Sequence, residues 1–368
     1  MKILLLNVNL GYGGAEKMLA FVANTLSQQD NMEVTFLTYR ENNAYQVLND
    51  KVTREHLQLE AKGGTALGAI KTILALHKYI KKNQFDVAIA FLTPSQLRLV
   101  PASWFTETKV LLSQRADPFN RGNTLKRKIL TFLNTSIFAR ADYFVFQTEQ
   151  AKSFYSKRVQ RKACVIPNPI HPLVRTMQRE GKYIEKRFVT VSRLELKQKR
   201  QDLIIDAFKK FNVEYPEYVL ELFGSGPDED YIQSLIAGDS RIRMCGVTRN
   251  VTESIQNATA FVFASDYEGI PNALMEAMSL GLPCVSTDCS PGGAALLIKN
   301  GENGYLVECG NSEQLYLAMK NIVENQERAE VMGKNAMNIN QIFSEDAIAQ
   351  QWIDAIEECM NPKKGKVR

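Results

Sequence analysis

Short apolar runs of five to seven residues recur along the chain, each followed by a longer stretch whose apolar positions repeat at helical spacing. The first half carries ILLLNV, EVTFLTY, DVAIAFL, KVLLSQ, YFVFQT and ACVIPN; the second carries FVTVSR, YVLELFG, IRMCG, AFVFAS, PCVST and GYLVE. Near-continuous apolar strands alternating with helices predict parallel sheets covered on both faces. Two such series predict two doubly wound, Rossmann-like α/β domains. The pattern lapses in IPNPIHPLVRTMQREGKYIEKR, where three prolines fall within six residues and a charged stretch follows. A linker is expected there.

The predicted organisation is therefore an N-terminal domain over 1–170, a linker over 171–187, a C-terminal domain over 188–343, and a last helix with a tail over 344–368. SEDAIAQQWIDAIEECM reads as an amphipathic helix. Ser344 stands at its cap, with Ala347 where a full capping box has Glu. This helix is expected to pack back toward the N-terminal domain, and NPKKGKVR is expected to fray. No internal repeat is visible beyond the strand and helix rhythm.

Length agrees with two cores, since 368 residues exceed what one core supports. No run approaches the roughly 18 apolar residues that would span a bilayer. The amino-terminal MKILLLNVNLGYGG breaks into Asn-Val-Asn and glycines with no small-residue cleavage site, so it reads as a first buried strand and not a leader. The six cysteines form no CxxC pair, and only His56, His77 and His171 occur. Free thiols in a reducing, cytoplasmic setting are expected, without a zinc site. Net charge is +5, but residues 101–190 hold 17 Lys and Arg against 6 Asp and Glu, a local +11 that leaves −6 for the rest. That block suits either an anionic partner or a simply solvated lysine-rich face.

Ligands of open parallel sheets bind outside the carboxyl ends of the strands. Four loops at such ends carry candidate chemistry. In EGIPNALMEAMSLGLP, Glu268 lies on the loop after AFVFAS and Pro271 is expected in the first turn of the next helix, which stops at Gly281. Glu276 is expected about two turns in, on the same side as Glu268. The two carboxylates suit hydroxyl groups, and the helix start suits phosphate. Acids near a helix start also favour its dipole, which is the competing reading.

In VSRLELKQKRQDL, Arg193 and Lys199 stand after the first strand of the second domain, where cations can neutralise a departing diphosphate. Lys197 and Arg200 compete for the same role. NLGYGGAEK brings Gly11, Gly13 and Gly14 after the first strand but has Glu16 where GxGxxG has its last glycine, which disfavours a nicotinamide site. LFGSGPDED supplies Gly224, Gly226 and an Asp228/Asp230 pair, read chiefly as helix-start acids.

Taken in order, these segments resemble a retaining glycosyltransferase of family 4 with the two-domain GT-B fold. The likeness runs over nearly the whole chain. It is strongest in the glutamate-seven-residues-glutamate motif, in GLPCVSTDCSPGG and in NGENGYLV. It implies that Glu276 holds the donor ribose, Glu268 the donor sugar, and Arg193 with Lys199 the diphosphate. Glu268, Arg193 and Lys199 are then the catalytic set. Gly269, Ile270, Pro271, Asn272, Ala273, Gly224 and Gly226 join the donor site, and Gly13, Gly14, Glu16, Arg115 and Asp117 the acceptor side.

The likeness implies neither cofactor nor metal, a nucleotide-sugar donor with UDP favoured, and a saccharide or lipid-linked acceptor in surface-polysaccharide assembly. It implies placement in the cytoplasm, peripheral on the inner face of the plasma membrane. Two departures stand out. LLSQRADPF has Ser113, Arg115 and Asp117 but no histidine, and PGGAALLI lacks an acid before its Leu-Ile. Competing functions are a sugar-nucleotide epimerase or phosphorylase of the same fold and a non-catalytic nucleotide-sugar binder. A nucleic-acid binder is disfavoured, because no RNA-binding aromatic motif is visible.

Overall fold

The computed structural model describes residues 1–11, 14–40, 46–57, 66–115, 117–119, 134–170, 174, 185–248 and 250–362. The chain divides into two compact units, one of Met1–Ile166 with Ile348–Arg368, the other of Pro167–Ala347.

The first unit is built on seven parallel strands. They are β1 (Lys2–Asn7), β2 (Glu33–Thr38), β3 (Val52–His56), β4 (Val87–Ala90), β5 (Lys109–Gln114), β6 (Tyr143–Phe146) and β7 (Ala163–Val165), in the order β3-β2-β1-β4-β5-β6-β7. β1 is central, pairing Ile3 with Val34 on one side and with Val87 on the other. Ile3 to Leu6 are fully buried, because helices cover both faces. β3 went unseen in the sequence for the opposite reason. It is an edge strand in which only Val52 is buried, so VTREH carries no apolar run.

The second unit has six parallel strands: β8 (Glu185–Val191), β9 (Val219–Phe223), β10 (Ile242–Gly246), β11 (Ala258–Phe263), β12 (Cys284–Thr287) and β13 (Tyr305–Val307). Their order is β10-β9-β8-β11-β12-β13. Phe188 at its centre packs edge-on against Phe211, with ring centroids 5.1 Å apart. β8 starts at Glu185, so the expected linker ends earlier than 187. The strand pairs Arg187 with Val219, and the Arg187 side chain is held by Glu185 and by Glu221 at 2.7 Å, which lets a charged opening join the sheet.

The last helix, Glu345–Met360, is capped as its sequence allows: Ser344 Oγ accepts from the Ala347 N–H at 3.2 Å. From Ile348 onward it is counted in the first unit, where Trp352 is fully buried and stacks on Phe91 at 5.4 Å. The Tyr143 hydroxyl donates to Glu358 at 2.6 Å. The tail beyond residue 362 lies outside the described residues.

Candidate functional site

Strand order reverses direction at β8/β11 in the second unit, and the loops leaving these two strands diverge there to open a crevice. A cavity of about 460 Å³ occupies it. Its lining includes Arg193 and Lys199 after β8, Gly224 and Ser225 after β9, Val247 and Thr248 after β10, and Glu268, Ile270, Pro271, Asn272, Ala273 and Glu276 after β11. Of the residues expected there, Gly226 and Gly269 do not line it.

Lys199 ends a one-turn helix, Leu196–Lys199, and Arg200 then takes the left-handed conformation (φ 42°, ψ 44°) before the helix Gln201–Glu214 begins. That reversal separates the competing cations. Arg200 turns to Asp202 and Asp266, donating to the latter at 3.0 Å, and these carboxylates raise its pKa. Lys197 is exposed and does not line the cavity. Lys199 faces inward, forms an ion pair with Glu268, and lies 5.2 Å from the centre of the Phe263 ring. Arg193 is largely exposed and pairs with Glu195 at 3.3 Å.

The loop bearing Glu268 is fastened to this segment by side-chain and backbone bonds centred on Gln198. Ser265 Oγ and the Asp266 N–H both donate to the Gln198 carbonyl, at 2.8 and 2.9 Å. Gln198 Nε2 returns to the Tyr267 carbonyl at 3.0 Å and to Glu268 Oε2 at 3.2 Å. The Glu268 N–H donates to the Ser290 carbonyl at 2.8 Å. Behind Arg193, the fully buried Gln201 bonds Ser192 Oγ at 2.9 Å and the Arg193 carbonyl at 2.8 Å. Gln198, Gln201 and Ser265 had no signal in the sequence, because their partners are dictated by tertiary register.

The helix after β11 is Asn272–Ser279, with Pro271 at its cap in an extended conformation (φ −75°, ψ 100°). Pro271 therefore precedes the first turn, and Glu276 lies one turn into the helix, not two. The first N–H groups of the helix, on Asn272 and Ala273 of the cavity rim, have no acceptor within it. The helix ends where expected, with Gly281 left-handed at φ 79°.

Gly224 and Gly226 are required by close backbone contact. A Cβ on Gly224 would lie 1.9 Å from the Ser192 carbonyl oxygen, and one on Gly226 would lie 2.2 Å from that of Leu194. They seat the β9 loop against the β8 loop. Gly269 is pressed in the same way, since a Cβ on Gly293 would lie 1.6 Å from the Gly269 carbonyl oxygen. Asp228 departs from the capping role given it. Its carboxylate makes no bond to its own helix and instead accepts from the Leu196 N–H at 2.7 Å, fixing the turn that ends in Lys199.

In the first unit, Gly13 lies outside the described residues. Gly14 opens the helix Gly14–Ser27 with open space where a Cβ would stand, and Glu16 is in its first turn. These follow β1, whereas Arg115 and Asp117 follow β5, with β4 between. Arg115 is packed over Phe91 and Trp352, with its guanidinium carbon 4.9 and 5.4 Å from their ring centres, and donates to Ser113 Oγ at 2.8 Å. Burial pushes its pKa down, to about 9. Asp117 accepts from the Phe119 N–H at 2.8 Å, closing a local turn. Both side chains thus have structural partners, a use the sequence did not suggest.

The described residues contain no helix long and apolar enough to cross a membrane. The family model for Glycosyl transferases group 1 matches residues 176–339. An uncharacterized glycosyltransferase of Methanocaldococcus jannaschii is 26% identical over 252 residues, 62% of either chain, so this chain spans less than two thirds of that relative. The GalNAc-alpha-(1->4)-GalNAc-alpha-(1->3)-diNAcBac-PP-undecaprenol alpha-1,4-N-acetyl-D-galactosaminyltransferase of Campylobacter jejuni is 22% identical over 366 residues, 98% of this chain and 99% of its own. The solved structure of Anabaena Alr3699/HepE in complex with UDP and glucose superposes with a TM-score of 0.76 at 20% identity, over 97% of this chain and 99% of that one. The family match covers most of the second unit, and with its two parallel α/β units the chain has the two-domain GT-B fold of the glycosyltransferase structures it resembles.

Proposed function

We propose that the chain is a retaining, metal-independent glycosyltransferase of family 4. It moves a sugar from a nucleoside-diphosphate sugar, UDP-linked by preference, to a saccharide or lipid-linked saccharide during surface-polysaccharide assembly. The observation that carries the reading is the inward-facing Lys199–Glu268 pair, set with Glu276 around one cavity at the β8/β11 crevice. Lys199 and Arg193 supply cations for the diphosphate, Glu276 accepts from ribose hydroxyls, and Glu268 meets the sugar. The N–H groups at the start of Asn272–Ser279 add a second phosphate-binding element.

In the reaction the bond from the anomeric carbon to the phosphate oxygen breaks, and a bond from that carbon to the acceptor oxygen forms on the same face. The acceptor proton passes to the departing phosphate oxygen. The protein's part is positioning and charge stabilisation. The UDP complex of the Anabaena protein and the undecaprenol-diphosphate-linked acceptor named for the Campylobacter relative favour this donor and acceptor class. Gly13, Gly14, Glu16, Arg115 and Asp117 remain the proposed acceptor side. The basic stretch 101–190 is proposed to meet an anionic membrane at the cytoplasmic face. Its Arg121, Lys126, Arg127 and Lys128 lie outside the described residues.

A thermal-shift screen of UDP, GDP, ADP and their sugars tests the donor reading. A ligand at 100 times its dissociation constant should stabilise by about 2.7 kcal/mol. NMR of the anomeric proton of a transferred sugar then tests retention. No shift with any nucleotide, or an inverted product, overturns the corresponding part.

A further inference from the structure

The helix Ala66–Asn83 buries one apolar stripe and exposes another. Leu76 and Ile80 are fully buried and Thr72 nearly so, which accounts for its packing on the first unit. On the opposite side Leu67, Ile70 and Leu74 are 71%, 54% and 59% exposed. At about 100° per residue these three fall within one arc about 60° wide, directly opposite the buried stripe. Lys78, Lys71 and Lys82 flank them on one side and Lys81 sits among them, all exposed. The whole exposed arc of about 120° is thus leucine, isoleucine and lysine, and the helix contains no Asp or Glu.

A second element extends the patch. His77 Nδ1 bonds the Ala102 carbonyl at 2.9 Å, which fixes the end of the helix Thr93–Ala102 beside this one. Just beyond it, Trp104 is 39% exposed and Phe105 97% exposed. Phe105 has φ 61°, a conformation an aromatic residue rarely adopts, and it thrusts the ring outward.

We propose that the face made by Leu67, Ile70, Leu74 and the Trp104–Phe105 loop docks on an anionic lipid bilayer, with the lysines on phosphate headgroups. This deepens the membrane reading and moves it to a different surface from the 121–128 stretch. The helix is about 27 Å long and carries four lysines, so it lies in the interface and does not cross. Exposed aromatics beside a basic amphipathic helix suit the headgroup level. A second copy of this chain is a poor occupant, because two all-cationic faces repel.

The two tryptophans give a direct readout, since Trp352 is fully buried and only Trp104 can sense a surface. Wild-type protein is titrated with phosphatidylglycerol vesicles, and with neutral phosphatidylcholine vesicles as control. The expected result is a blue shift in emission and co-sedimentation with the anionic vesicles only. Leu67→Ser with Leu74→Ser should weaken partitioning at least tenfold. Lys71→Gln with Lys78→Gln should weaken it about fivefold per lysine at low salt. UDP binding should be unchanged in both, which also reports that the variants are folded. Sedimentation of all helix variants like wild type, with loss confined to a variant neutralised at Arg121, Lys126, Arg127 and Lys128, overturns this surface while keeping membrane docking. No binding by wild type overturns both. A concentration-dependent dimer that the leucine variants abolish, without vesicle binding, assigns the face to self-association and also overturns the proposal.

Discussion

Replacing Glu268 by Gln tests the site most sharply, because the structure predicts effects of opposite sign on binding and on turnover. Lys199 and Glu268 have side chains 15% and 18% exposed, and Gln198 donates to the same Glu268 oxygen at 3.2 Å. Exposed pairs of this kind are worth about 0–1 kcal/mol, and breaking fully buried ones costs about 3–5. A pair this shielded but still reached by water should lie between, at about 1–3 kcal/mol. For a unit the size of Pro167–Ala347, each kcal/mol lowers Tm by about 2–4 °C, so the unliganded variant should melt several degrees early. In the proposed role, Lys199 of the wild type leaves Glu268 for the donor diphosphate. In Glu268→Gln that competitor is neutral, so UDP should bind as tightly as to wild type or tighter, and should raise Tm by more. Turnover should fall, because one charge-assisted hydrogen bond to the sugar is gone. At about 1.5–3 kcal/mol the loss is roughly ten- to 150-fold in kcat. Calorimetry with UDP, set beside initial rates at saturating donor, measures both. Wild-type turnover, or UDP affinity weakened more than about tenfold in a folded variant, would refute the assignment.

Glu276→Ala should weaken UDP and the intact UDP-sugar by the same factor, about tenfold or more, since a ribose contact exists in ground and transition states alike; unequal factors by calorimetry would place Glu276 elsewhere. Gly226→Ala brings a methyl to 2.2 Å from the Leu194 carbonyl oxygen, so it should cost about 1–3 kcal/mol in urea unfolding and weaken donor binding by shifting the loop that carries Arg193 and Lys199. Burial pushes the Cys289 and Cys359 thiols up from 9.0 to about 12. Each therefore contributes stability that is complete below pH 9 and is lost as pH rises toward 12, at up to about 1.4 kcal/mol per pH unit. The urea midpoint should accordingly fall between pH 8 and pH 10.5, more than in a Cys289→Ala variant, and an equal fall would contradict this.

Most of the fold was legible because central parallel strands must be apolar on both faces. FVTVSR and AFVFAS announce β8 and β11 with no tertiary knowledge, and with them the crevice where ligands of such sheets bind. The edge strand β3 was silent because Arg54, Glu55 and His56 face solvent. Glu268 and Glu276 could be found because a strand end, a proline and a helix stop fix their places within one short segment. Which of Lys197, Lys199 and Arg200 faces inward could not be read, since it depends on the left-handed turn at Arg200 and on Asp266, sixty-six residues away in sequence. The structural partners of Arg115 were hidden for a similar reason. Its ring partner Trp352 arrives from the far end of the chain.

Three of the bonds that join the two loops of the crevice end on the backbone carbonyls of Gln198 and Tyr267 and do not involve the Glu268 carboxylate, and this bears on how that carboxylate can act. Ser265, Asp266 and Gln198 hold the β11 loop to the Lys199 turn whatever the charge on Glu268. Asp228, on the β9 loop, grips that turn from its other end through the Leu196 N–H. The ion pair is therefore not needed to assemble the site. A diphosphate can take Lys199 as its counter-ion without unfastening the loop, and Glu268, released from the lysine but still held by its backbone N–H to Ser290, is then free to turn to the sugar. Under the roles proposed for Lys199 and Glu268, arrival of the donor phosphates would be coupled to delivery of the carboxylate, so that charge is neutralised at the leaving group as the bond to the anomeric carbon begins to open.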